Sequence, residues 1–239
     1  MYSKNPLSRR NFLILAGAAG AGLAQGCSKS ASKPESVRPV EYAGAAIELL
    51  ERQHGVTRRA LAVMSKIKDG INAQTDIQPE TVRGAVEIVG SFMIDCHQLM
   101  EEKFVFPVFA ASPNTSELIA VLRQQHAAAF RLIEILKPLS ANFSPKDREN
   151  QRKTANMLHL LARMSQAHAS WEDTALFPLL HSVVPATSYD RLSSDLQGAE
   201  TEFLGQNGFD ETLQTIARYE NSLGIGNLAS FTPQPEDLS

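Results

Sequence analysis

Four stretches of the chain carry apolar residues at alternating steps of three and four, and one histidine interrupts each stretch. The histidines are His54, His97, His126 and His168. This spacing places the apolar residues and the histidine on one face of a helix. The pattern therefore predicts four amphipathic helices, each with an imidazole in the middle of its core-facing stripe.

The four stripes form two related pairs. His126 follows His54 by 72 residues and His168 follows His97 by 71, and the apolar positions around them repeat with the same shifts. A helix hairpin that is repeated once is typical of a four-helix bundle with short connections. We therefore predict an all-α fold, with an up-down-up-down four-helix bundle over residues 41–184.

A short motif recurs in the second and fourth stripes, as His97-x-x-x-Glu101…Phe106-Pro107 and His168-x-x-x-Glu172…Phe177-Pro178. Residues four apart share a helix face, so each motif pairs an imidazole with a carboxylate. One such histidine is more often an ordinary core residue. Burying four imidazoles and two carboxylates at one level would cost at least about 2 kcal/mol for each unpaired group. A pair of metal ions would remove that cost, so we predict a dinuclear metal site.

Prolines and glycines predict the helix ends. We expect helices over 41–69, 79–110, 112–138 and 144–183, with Pro107 and Pro178 kinking or ending theirs. The pattern in residues 185–239 predicts a C-terminal helical extension with helices over 189–204 and 209–223. We expect this extension to serve packing or self-association. His159 and His181 fall outside the repeat and are expected at the surface or outside the metal ligands.

The N-terminal segment predicts export. Ser8-Arg9-Arg10-Asn11-Phe12-Leu13 precedes an apolar run over 14–24, which is typical of a twin-arginine signal peptide over 1–26. The run is shorter than the roughly 20 residues of a membrane-spanning helix. We therefore expect a periplasmic protein, cleaved before Cys27 and followed by a flexible tether over 27–40. Alternatively, Cys27 could carry a lipid anchor, although Leu23 lies one place too far upstream for a good lipidation motif.

Composition excludes two other classes. The net charge of −3 becomes −6 once the signal removes Lys4, Arg9 and Arg10, and no basic patch suited to nucleic acid is visible. Two cysteines do not make a disulfide framework. Cys96 lies next to His97 in the sequence but about 100° around the helix, so its side chain points away from the ligand direction. We expect it to be a small buried thiol.

The order of histidines and His-x-x-x-Glu motifs, with Phe-Pro after each motif, resembles the hemerythrin-like cation-binding family over residues 41–184. The resemblance implies a non-haem centre of two iron ions that binds dioxygen or nitric oxide, with both glutamates bridging the irons. Carried over by position, the metal ligands would be His54, His97, Glu101, His126, His168 and Glu172.

One position departs from the oxygen carriers of that family, which would require a second histidine at position 130. Here the residue is Phe130, and we expect its ring beside the metal that lacks a donor. Fewer protein ligands leave more open positions, which puts simple oxygen storage in doubt. Glu102 and Asp173 could replace the donor only by rotation around their helices, which we do not expect.

Two functions stay open. The first is a binding or sensing protein for dioxygen or nitric oxide, and the second is an enzyme that acts on peroxide, nitric oxide or ferrous iron. A purely structural pair of zinc ions is a weaker third. The mostly apolar neighbours of the histidines favour gas binding; they are Leu50, Thr57, Met93, Met100, Leu122, Ala129, Phe130, Met164 and Trp171.

Overall fold

The computed structural model describes residues 45–110 and 112–238, and every regular element in these ranges is a helix. The predicted signal peptide and tether lie outside the described residues, as does the start of the first predicted helix. The four long helices are α1 (Ala45–Asn72), α2 (Pro79–Ile88, continued by the wide π-helical turns Val89–Gln98 and Glu101–Val105), α3 (Ser116–Ala141) and α4 (Arg148–Trp171, continued by the π-helical turn Glu172–Leu176).

The four helices form a closed ring. Helix α1 packs on α2 and α4, and α3 packs on the other sides of the same two helices. Short connections make successive helices antiparallel. Two clusters of buried apolar side chains fill the interior, one including Leu61, Met64 and Leu161 and the other including Leu50 and Leu122. Along each long helix, the histidine lies between residues of one cluster and residues of the other. The predicted all-α bundle, with apolar layers on both sides of the histidines, is therefore confirmed.

The two Phe-Pro sequences change the form of their helices without ending them. In α2 a π-helical turn (Glu101–Val105) is followed by a tight 3₁₀ turn (Phe106–Phe109), and in α4 the turns Glu172–Leu176 and Phe177–Leu179 repeat this order. Proline lacks an N–H and its ring collides with the carbonyl of the residue four before it. A wider preceding turn relieves that collision. The chain then continues through α5 (Leu180–Val183).

Several predicted helix ends differ from the structure by three or four residues. Helix α1 ends at Asn72 and not at residue 69, and α3 begins at Ser116 and not at residue 112. Helix α3 continues through Pro138 to Ala141, because the only backbone bond that proline removes is to Glu134, an exposed residue. Helix α4 begins at Arg148, where the side chain of Asp147 accepts a hydrogen bond from the backbone N–H of Asn150 (3.0 Å). An N-cap of this kind outweighs the earlier Ser144-Pro145 signal.

The C-terminal extension folds as α6 (Ala186–Leu204) and α7 (Gly208–Ser222). Gly205 separates them with a φ of 83°, a left-handed conformation that favours glycine. Both helices pack on the face formed by α1 and α2. The extension is therefore a packing element of the bundle, one of the two roles predicted for it.

Across residues 45–110 and 112–238, no helix is both long enough and apolar enough to cross a lipid bilayer.

Candidate metal centre

The six predicted site residues come together in the middle of the bundle. His54, His97, Glu101 and Glu172 form one group of side chains that could hold a metal ion, and Glu101, His126, His168 and Glu172 form a second. Within each group the potential ligand atoms lie within 4.8 Å of one another. Both glutamates belong to both groups, as the bridging ligands of a dinuclear centre would.

Each carboxylate reaches histidines of both groups. Nε2 of His97 lies 3.3 Å from Oε1 of Glu101, and Nε2 of His126 lies 3.4 Å from its Oε2.

The second carboxylate also lies near one histidine of each group, but through a single oxygen. Oε2 of Glu172 lies 3.0 Å from Nε2 of His168 and 3.4 Å from Nε2 of His54. Since helices α2 and α4 each supply one His-x-x-x-Glu pair, while α1 and α3 each supply one histidine, all four helices converge on this cluster.

The cluster contains buried polar atoms that the protein does not satisfy. Glu101 and Glu172 are fully buried, yet among the described residues none of their four carboxylate oxygens has a hydrogen-bond partner. The Nε2 atoms of His54 and His97 are also buried without a hydrogen-bond partner among the described residues. Leaving such groups unpaired in an apolar interior costs at least about 2 kcal/mol each. Cations offset this cost, and imidazole nitrogens with carboxylate oxygens are a donor set that suits iron or zinc.

The outward-facing nitrogens of two histidines donate to glutamine side chains. Nδ1–H of His97 donates to Oε1 of Gln53 (2.7 Å), and Nδ1–H of His168 donates to Oε1 of Gln125 (2.9 Å). A proton held on Nδ1 leaves Nε2 with a free lone pair directed at the cluster.

The Nδ1 atoms of the other two histidines contact carboxylates. Nδ1 of His54 lies 2.6 Å from Oδ1 of Asp173, and Nδ1 of His126 lies 3.0 Å from Oε1 of Glu102. From the sequence, Asp173 and Glu102 were considered only as replacement metal donors. The sequence repeat nevertheless indicates these partners. In both halves a glutamine directly precedes the first histidine, and an acid directly follows the glutamate of the His-x-x-x-Glu motif.

The phenylalanines of the Phe-Pro sequences also touch the site. The ring of Phe106 stacks on His126 with centroids 5.3 Å apart and an interplanar angle of 16°. The ring of Phe177 stacks on His54 at 5.3 Å and 19°. Each π-helical turn therefore places a glutamate inside the cluster and, five residues later, an aromatic ring against a histidine of a neighbouring helix.

The two histidines of the first group differ in basicity. Burial disfavours the charged form of His54, but the hydrogen bond with Asp173 and the negative charges of Glu172 and Glu101 outweigh burial and raise its pKa to about 9. Burial lowers the pKa of His97 to about 3, because Glu101 compensates only in part and the other imidazoles oppose a further positive charge. The contrast follows from the carboxylates near each ring, which are Asp173, Glu172 and Glu101 for His54 but Glu101 alone for His97.

The expectation for Phe130 was wrong. Its side chain is 52% exposed and lines an outer groove with Glu102 and His126, so its ring lies on the solvent side of His126 and does not point into the cluster. The positions of α3 that face inward one turn from His126 are Leu122 and Ala129, both buried. The third helix therefore adds no second donor, for a reason other than the one predicted.

Further neighbours also differ from expectation. Trp171, counted among the residues of the apolar stripe, is 60% exposed. Conversely, two hydroxyls close to ligand histidines in the sequence are buried and have no partner among the described residues: Oγ1 of Thr57, three residues after His54, and Oγ of Ser165, three residues before His168. Because α1 and α4 run antiparallel, both hydroxyls lie on the same side of the histidine layer. The surroundings of the cluster are therefore less uniformly apolar than predicted.

The remaining predicted residues lie where expected. Cys96 is a buried free thiol, and burial raises its pKa to about 12. His159 and His181 are exposed and lie outside both groups.

Comparison with known proteins identifies the family. The chain matches the hemerythrin HHE cation-binding domain over residues 45–180 and again over 117–197. It therefore belongs to this family of metal-binding proteins.

Relatives along most of the chain occur in mycobacteria. An uncharacterised protein of Mycobacterium bovis and uncharacterised proteins of two Mycobacterium tuberculosis strains are each 29% identical over 233 residues, covering 95% of this chain and 91% of theirs. No solved structure matches the chain.

The aromatic contacts give a first prediction. Phe177→Ala should destabilise the protein by about 3–5 kcal/mol, because it leaves a cavity beside His54 in the packed core. Phe130→Ala should cost less than about 1 kcal/mol and leave bound metal unchanged, because the side chain faces outward. Urea denaturation followed by circular dichroism, with metal analysis of both variants, checks this. Loss of metal from Phe130→Ala would instead support the expectation that this ring lies beside the metal.

Proposed function

We propose that this chain holds two iron ions and binds or senses dioxygen or nitric oxide. The observation that carries the proposal is the pair of fully buried glutamates whose unsatisfied oxygens are shared between two histidine pairs. In this proposal His54 and His97 bind one ion and His126 and His168 the other. Glu101 and Glu172 would contribute to the holding of both ions.

Iron is the metal that the resemblance to hemerythrins implies, and the mixed nitrogen and oxygen donors agree with it. When bound, a pair of iron ions supplies redox-active positions at which a small molecule can coordinate. Six protein donors leave room for such a molecule and for water.

The protein's part is to hold the donors and to limit the access of water. The acceptors at Nδ1 fix the tautomer and orientation of all four imidazoles. Buried Leu50, Met100 and Leu122 line one side of the histidine layer, and Met93 and Ala129 lie on the other. An enclosure of this kind is suited to small, weakly polar molecules.

A second function, catalysis at the same centre, is favoured by one observation. The hydroxyls of Thr57 and Ser165 are buried and have no partner among the described residues. A hydroxyl near a reacting molecule can donate a hydrogen bond or pass a proton. Peroxide, nitric oxide and ferrous iron are the substrates we consider for such an enzyme. A purely structural pair of zinc ions is the third alternative.

The ligand assignment predicts which substitutions empty the site. Glu101→Ala and Glu172→Ala should each lose most of the two iron ions expected per chain, because each removes a carboxylate that helps to hold both ions. His159→Ala and His181→Ala should keep them, because both side chains are exposed and remote. Metal analysis after anaerobic purification from iron-replete cells measures this. One ion per chain, or two zinc ions, in the wild type would contradict the proposal of two iron ions. An empty site in His159→Ala together with a full site in Glu101→Ala would contradict the ligand assignment.

The gas-binding proposal predicts new visible absorption bands when dioxygen or nitric oxide is added to the anaerobic ferrous protein. Thr57→Val should shorten the lifetime of the coloured complex about fivefold, the equivalent of one hydrogen bond of about 1 kcal/mol. Stopped-flow absorbance measures the decay. Thr154→Val is the matched control, since this buried hydroxyl already donates to Asn150 (3.1 Å). Sustained turnover of peroxide or nitric oxide would favour the enzyme instead.

We further propose that the protein is exported by the twin-arginine pathway to the periplasm, with Cys27 as a candidate lipid anchor. The support is the sequence around Arg9 and Arg10, and export of a folded chain would allow metal loading in the cytoplasm. Replacing both arginines by lysine should retain the protein in the cytoplasm, as measured by cell fractionation. Periplasmic recovery of that variant would exclude this route, while Cys27→Ser tests membrane attachment separately.

A further inference from the structure

The two hairpins repeat each other in sequence, but their outer faces differ. Helix α6 covers the first hairpin, where Gln53 is fully buried. The corresponding Gln125 of the second hairpin is partly exposed and lines an open groove beside Trp171. The environment of the two glutamine–histidine pairs is therefore unequal.

A hydrogen-bonded chain connects α6 to the centre. Oε1 of Gln53 accepts from His97 (2.7 Å), and Nε2 of Gln53 donates to Oε2 of Glu200 (2.7 Å). The other carboxylate oxygen of Glu200 pairs with Arg52 (2.6 Å). No protein group within residues 45–110 and 112–238 accepts from Nε2 of Gln125, so the second hairpin has no equivalent of Glu200.

The carboxylate partners do not create this difference. Asp173 binds His54 and pairs with Arg58, while Glu102 binds His126 and pairs with Arg123 (2.9 Å). Both groups thus have one histidine that is held by an acid with its own arginine. The feature that separates them is Glu200.

Glu200 can control which end of the amide faces His97. An ionised carboxylate only accepts hydrogen bonds, so it draws the NH₂ end of Gln53 toward α6 and leaves the oxygen for Nδ1–H of His97. A bond to an ionised acceptor is also stronger than one between neutral groups. His97 is therefore fixed with Nε2 directed at the cluster.

We propose that the C-terminal extension is part of the metal centre and that Glu200 is a positioning residue for His97. This proposal builds on the assignment of two metal ions made above. Its consequence is an unequal pair: the ion at His54 and His97 is held more tightly than the ion at His126 and His168, whose glutamine is open to solvent.

The first test measures each metal separately in the full-length chain. Cobalt(II) is bound, and its release to a chelator is followed by absorbance. We expect two steps in the wild type. Glu200→Ala should weaken the tighter step about tenfold, the lower end of what is typical for removing a residue that supports a metal ligand, and leave the weaker step unchanged. Glu200→Gln should retain most of the affinity, because its amide oxygen can still accept from Gln53.

Two controls separate positioning from general packing. Glu202→Ala changes an exposed acid on the same helix and should have no effect. Leu196→Ala removes a fully buried α6 side chain and should lower stability without disrupting the hydrogen bonds that link Glu200, Gln53 and His97. It should therefore leave the tighter step within about twofold of the wild-type value.

A second measurement reports on His97 directly. In the cobalt protein the ring N–H protons of the ligand histidines can be followed by NMR as shifted, exchangeable signals. Glu200→Ala should speed the solvent exchange of the His97 signal at least tenfold and leave that of His168 unchanged.

The outcomes are distinguishable. Equal weakening of both steps by Glu200→Ala, or the same selective loss in Leu196→Ala, would overturn the positioning role. Binding of fewer than two ions by the wild type would instead reject the proposed dinuclear centre.

Discussion

The burial of two carboxylates that the protein leaves unsatisfied is the constraint on which the rest of this structure depends. Glu101 and Glu172 lie fully buried with four free oxygens, surrounded by imidazole nitrogens that also point inward. Such an arrangement is costly in an apolar interior. It is reasonable only where cations occupy the space between the donors, and the membership of the chain in a cation-binding family agrees with this.

Much of the surrounding structure serves to hold these donors in place. Glutamines and acids accept from the outer nitrogens of the histidines. The π-helical turns that begin at Glu101 and Glu172 accommodate the following prolines and bring a phenylalanine ring onto a histidine. A single repeated motif therefore provides a donor, a helix distortion and an aromatic contact, and its duplication produces a centre with two similar halves.

The C-terminal extension makes these two halves unequal. Helices α6 and α7 pack mainly on the face formed by α1 and α2, so equivalent residues of the two hairpins experience different surroundings. Met100 is buried under this cover, whereas its counterpart Trp171 is largely exposed. A centre assembled from two like halves can thus have two unlike metal positions.

Sequence alone determined the helices, their order and the six residues that meet in the core, because apolar spacing and the repeated motif act through local helix geometry. It also located the break between the two helices of the C-terminal extension. It could not place Phe130 or Trp171, since a side chain near the edge of an apolar stripe is assigned to core or solvent only by the neighbouring helices. The partners at Nδ1 and the link from Glu200 to Gln53 likewise join residues from different helices, up to 147 positions apart. Contacts of this kind exist only after packing, so the tertiary structure decided them.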